Sequence, residues 1–436
     1  MISNSPVSFF GALIWLCLGC GVLPAQDDAE YDNAPISYST AESKDAVAGV
    51  LAAWQRGEIV FSGDDKAVLG QLLKALHVPE ASQLLVFSKT SLQIDHIRPD
   101  NPRALYFSDL VSVGWVPGGD IEIAVFSPGL GTVFYLLEPE VLRAPLPAAH
   151  EPPRDAFTRN GDCLRCHGGL FTDRVPGMFI RSVATGANGS PRFRLGSRVV
   201  THETPLAERW GGYYVTGVPG SLRHLGNAYT GPDAELPEHG ETRRELSEFF
   251  KTGRYLAGTS DIVALVVFEH QCTVLTALTK ADFLCRQRFA QQRALQAELG
   301  ETVADTPNEL TARVYDAACQ EVLDALLFYG EAVLPEDGLS GGDAFREAFE
   351  AQARRVDGRS LRDFQLATRL FKYRCSYMVH TEAFATLHGP LRQRVLDRLK
   401  GIMLSPEPEE RYAYLRGSER EVIHRILSET VAGYGN

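Results

Sequence analysis

Hydrophobic residues in this chain switch spacing partway along, from every second position to every third and fourth, so the two halves must fold differently. Residues 84–87, 104–107, 111–116, 121–126 and 132–137 are short apolar runs rich in β-branched and aromatic residues, and turn residues such as Pro117-Gly118-Gly119-Asp120 separate them. That pattern predicts an antiparallel meander of five strands. Helical spacing over 46–54 and 68–76 places two amphipathic helices before it. From about residue 241 onward helical spacing returns, over 260–299, 310–329, 344–353, 361–379, 391–402 and 419–431. Ser360, with Asp363 three residues on, reads as the capping-box start of the 361–379 helix. The fold class this implies is α+β.

Five stretches follow. Residues 1–25 hold an uncharged apolar run from Phe9 to Leu23, the core of a signal peptide. At 15 residues it is shorter than the roughly 20 a membrane-spanning helix needs. Export is therefore expected, to the periplasm in a bacterium. Leu18-Gly19-Cys20 partly matches a lipoprotein cleavage box, so lipid anchoring through Cys20 is the one membrane association the sequence offers. Residues 26–143 form the α+β stretch, opening on an acidic run up to residue 42 that reads as a loose tether. Residues 144–154 carry four prolines and read as an extended connector. The segment 155–240 is rich in glycine and arginine, with a hairpin expected around Asn188-Gly189, and 241–436 is helical.

Function is concentrated in Cys163-Leu164-Arg165-Cys166-His167. Two sulfurs three positions apart on one helical turn reach the two vinyl groups along one haem edge, and the adjacent imidazole then sits beneath the iron. Zinc would need a fourth ligand and usually a second Cys or His pair at similar spacing, and a redox dithiol has no use for the histidine. A purely structural Cys pair in a binding or scaffold protein is the bland alternative. With 43 basic against 55 acidic residues the net charge is -12, which argues against nucleic acid as a partner. Eight cysteines in 436 residues are too few for a disulfide-built scaffold.

Over Cys163–Gly168 the chain resembles the c-type cytochromes, in which a glycine after the histidine is common. The resemblance implies one covalently bound haem c, thioethers from Cys163 and Cys166, axial ligation by His167 and a role in electron transfer. It covers only this hexapeptide. The chain is far longer than a small single-domain cytochrome, and it lacks the second motif of the di-haem peroxidases.

The sixth iron position decides between a carrier, which fills it with Met or His, and an enzyme, which leaves it open. Three candidates stand out. Met178 lies eleven residues after His167, across the tight Gly168-Gly169 and Pro176-Gly177 loop. His270 lies on an apolar helix face with Val266, Val267 and Val274, beside Glu269, which could join it in a proton relay. His224 sits in a glycine-bounded turn next to Arg223. Met378 reads as core filling. The stretch from Arg154 to Arg198 has eight arginines and three aspartates, a +5 segment suited either to haem propionates and an anionic substrate or to a solvated strand surface. Cys272, Cys285, Cys319 and Cys375 are either two disulfides or buried thiols. The expectation is an exported c-type cytochrome that exchanges electrons with a redox protein. The alternative is a peroxidase-like haem oxidoreductase acting on a small molecule.

Overall fold

The computed structural model describes residues 30–144, 158–231, 239–241 and 243–435. The expected signal peptide, Cys20 and residues 145–154 of the connector lie outside the described residues.

All five expected strands form, as β1 (Leu84–Val86), β2 (Arg103–Phe107), β3 (Val111–Trp115), β4 (Ile121–Ser127) and β5 (Gly131–Leu137). They pair in sequence order and antiparallel, as short turns between alternating runs require. Two short strands from the arginine-rich segment extend the sheet: β6 (Thr158–Arg159) on β5, and β9 (Tyr213–Tyr214) on β1. The hairpin expected at Asn188-Gly189 forms from β7 (Ile180–Val183) and β8 (Ser197–Val200), whereas Phe193–Leu195 is a 3-10 turn. The α+β class is the observed one.

Ten helices accompany the strands among the described residues: α1 (Ala46–Gln55), α2 (Asp65–Ala75), α3 (Pro139–Arg143), α4 (Leu164–His167), α5 (Ile262–Glu298), α6 (Glu309–Leu326), α7 (Asp343–Glu350), α8 (Glu382–Ala385), α9 (Gly389–Leu404) and α10 (Gly417–Thr430). Both faces of the sheet are covered. Leu85, Ala104, Tyr106, Val113, Ile123 and Val125 point to a core shared with α1 and α2. Their alternates Leu84, Val86, Leu105, Phe107 and Phe126 point to a larger core built by the C-terminal helices. α5 is the axis of that larger core. Asp261 caps it, its carboxylate accepting from the Val263 and Ala264 N–H groups. By length and composition α5 could cross a membrane, yet 83% of its most apolar window is buried in the protein.

Two expectations fail. Residues 30–42 are not a loose tether, because Tyr31, Ile36 and Tyr38 are buried and the Tyr38 hydroxyl donates to the Thr132 carbonyl at 2.8 Å. Residues 361–379 do not form a helix. Ser360 and Asp363 make capping-type contacts, but Leu366 and Thr368 take positive φ and the chain folds back so that Phe364 pairs with Phe371. Phe364 and Phe371 stack with Phe349 of α7 at 5.0 and 5.8 Å, and Tyr377 meets the same ring edge-on. Aromatic stacking against α7 outweighs the local helical spacing.

Candidate functional site

Small residues on one sheet face leave a hollow. Ser112 and Gly114 of β3 and Ala124 of β4 sit between Val86, Leu105 and Phe134 where larger side chains would fill the gap. The register sets Ser112 opposite Ala124 and Gly114 opposite Glu122, so these positions share one face. α4 closes the hollow and brings Cys163, Cys166 and His167 to its lining. The resulting cavity, open at its mouth, has a volume of about 230 Å³.

Local contacts fix the geometry of the motif. Asn160 Oδ1 accepts from the Asp162 N–H, starting the 3-10 turn Gly161–Cys163 that runs into α4. The His167 Nδ1 lies 2.9 Å from the Gly177 carbonyl oxygen. A carbonyl can only accept, so Nδ1 carries the proton and Nε2 keeps its lone pair for a metal. The ring sits 5.1 Å from Phe134 and 4.8 Å from Phe179, between centroids. Burial pushes its pKa down to about 4, so the imidazole is neutral, as a metal ligand must be. Burial likewise pushes the Cys163 thiol up to about 11, while Cys166 is exposed. Gly168 is required by closeness: a Cβ there would meet the Tyr31 hydroxyl at 2.4 Å and the Leu164 carbonyl at 3.1 Å. The donor set and its spacing fit a covalently attached haem. Among the described residues no three His, Cys, Asp or Glu side chains cluster to hold an ion by themselves.

Of the three distal-ligand candidates read from the sequence, only Met178 lines the cavity. It follows Gly177, whose carbonyl backs His167, so its backbone lies on the histidine's side. His270 is fully buried away from the cavity, with Nε2 2.7 Å from Ser376 Oγ and its ring stacked on Phe328 at 4.0 Å. Neighbouring Glu269 is held by Arg209 at 2.6 Å and by the Trp210 indole N–H. His224 is buried against Trp210, its Nδ1 accepting from the Gly226 N–H at 3.0 Å. Met378 is core filling. Cys272, Cys285, Cys319 and Cys375 are buried free thiols.

Two functional side chains escaped the sequence reading. Arg103 of β2 and Glu122 of β4 line the cavity floor as an ion pair, their side chains 17% and 13% exposed. Ser91 Oγ donates to Glu122 at 2.9 Å. The available signal was Gly114, since glycine inside a strand marks a place where a group approaches the backbone closely. The basic stretch divides. Arg159 turns inward, donating to the Tyr38 and Ala41 carbonyls, and Arg181 at the cavity wall lies between the rings of Phe171 and Phe193 at 4.5 and 4.6 Å. Arg192, Arg194 and Arg198 are exposed on the β7–β8 hairpin.

No protein-family description, curated protein or solved structure matches this chain.

Proposed function

We propose that the chain is an exported haem c protein in which Cys163 and Cys166 carry the porphyrin and His167 ligates its iron, acting as a haem-dependent oxidoreductase on a small molecule. The observation that carries the reading is the 2.9 Å contact of His167 Nδ1 with the Gly177 carbonyl, which leaves Nε2 to the cavity. When bound, haem supplies a one-electron iron couple and a coordination position for a small ligand. The chain's own residues do the rest. Phe134, Phe179 and Leu105 would exclude water from a porphyrin held in the cavity, and the exposed Cys166 would offer a redox protein a short path for electrons. On the sheet side the cavity presents Arg103, Glu122 and Ser112, and among the described residues no histidine or methionine lines that side, which favours an open sixth position over a plain carrier.

A second reading, a six-coordinate carrier, has one observation in its favour: Met178 lines the cavity. The ferric absorption spectrum separates the two. High-spin iron that takes up added cyanide supports the oxidoreductase. Low-spin iron that changes when Met178→Ala is introduced supports the carrier and removes the open position.

A further inference from the structure

The charged pair on the cavity floor has an arrangement that packing alone does not require. Arg103 is the residue opposite Val86, and its guanidinium reaches sideways across β3 to Glu122 on β4. It lies flat over Gly114: a Cβ at that position would stand 2.2 Å from Nη2 and 2.9 Å from Nε. Any other residue at 114 would lift it off the sheet. Glu122 holds one end, and Ser91 fixes Glu122 from the other side. The Arg103 Nε–H, meanwhile, is buried with no hydrogen-bond partner. A buried, oriented and unsatisfied guanidinium donor is costly unless a ligand completes it.

We propose that Arg103, laid flat over Gly114 and braced by Glu122, is the anion-binding group for a small ligand in the cavity that His167 faces. This rests on the haem reading above and goes beyond it by naming the ligand class: a small anion, or a small molecule that binds as one, compact enough to fit between the porphyrin and the sheet. Guanidinium suits the task because its planar fork carries a permanent charge and several fixed donors. A haem propionate is the other anion of the right chemistry. Arg103 and Glu122 line the same cavity as Cys163 and His167, which places the pair toward the thioether side. Propionates leave the macrocycle from the edge opposite its thioether-bearing one, so a free anion is the better match.

The test is a titration of purified holoprotein with sodium fluoride in the ferric state and with carbon monoxide, an uncharged ligand, in the ferrous state, both read by absorbance. Arg103→Ala and Gly114→Ala are compared with the unaltered chain; the second keeps the arginine but displaces its guanidinium. Both variants should lower fluoride affinity about tenfold or more, the scale of a lost charge-assisted hydrogen bond. Carbon monoxide binding should stay within about twofold. Arg103→Lys, which keeps the charge but not the fork, should fall between. Unchanged fluoride affinity in Arg103→Ala overturns the proposal. So does a parallel loss of both ligands, which marks a merely structural residue, and so does a loss of haem retention with unchanged fluoride affinity, which assigns the guanidinium to a propionate. If the unaltered chain carries no covalent haem, the haem reading has failed, and haem staining shows this before any titration.

Discussion

Replacing Glu269 by glutamine separates a structural role from a catalytic one at a fully buried charge. Glu269 is fully buried and Arg209 only 4% exposed. The guanidinium donates to Glu269 at 2.6 Å, to the Thr204 carbonyl at 2.7 Å and to the His202 carbonyl at 3.2 Å. Burial pushes the Glu269 carboxyl up, and Arg209 and the Trp210 N–H oppose that shift. Glutamine keeps the volume and one acceptor oxygen but removes the charge. Arg209 then retains two neutral carbonyls and no counter-ion, a situation that costs about 3–5 kcal/mol. Against a total stability of roughly 5–15 kcal/mol this is a large fraction. Urea unfolding followed by circular dichroism should show the midpoint falling with little change in slope. Replacing both partners, Arg209→Met with Glu269→Leu, should recover most of the loss, because no unpaired charge remains. Spectra and ligand affinity of the haem iron should stay as they were, since neither residue lines the cavity. A loss below about 1 kcal/mol, or altered iron ligand binding at unchanged stability, would refute this reasoning and return Glu269 to the proton-relay role its sequence position invites.

Acid should weaken the fold through buried histidines. His202 and His224 have pKa values pushed down to about 4 by burial, so between pH 6.5 and 4 the unfolded chain binds their protons and the folded chain does not. Their contribution is complete above about pH 6.5 and is lost as pH falls, at most about 3 kcal/mol each. His202→Gln or His224→Gln should flatten stability against pH over that window, and an equally steep profile in both variants would contradict the assignment. Gly168→Ala should lower the yield of covalently attached haem, because the added Cβ pushes on Tyr31 and on the turn that carries Cys166 and His167; haem staining per mole of purified protein at an unaltered level would count against it.

The sheet was legible because nothing non-local is needed to form it. Short apolar runs bounded by turn residues such as Pro117-Gly118-Gly119-Asp120 locate its strands almost to the residue. Residues 361–379 were misread because Phe364, Phe371 and Tyr377 are spaced for contact with Phe349, a partner invisible to a helical count. His270 shows the same limit from the other side. Its apolar helix face was correctly read as buried, but the hydroxyl that satisfies it belongs to Ser376, 106 residues away. In the site, α4 announced itself through its spacing, whereas Arg103 and Glu122 did not. A charge in an alternating strand reads as solvent-facing, and here both faces of the sheet are covered, so the outward position opens into a cavity instead.

The most direct measurement is mass spectrometry of the chain produced in a host that attaches haem to exported proteins. The account expects the polypeptide mass to rise by one haem, with the added mass mapped by proteolysis to the peptide holding Cys163 and Cys166. A fully exported polypeptide of unmodified mass, with both thiols open to alkylation, would contradict it.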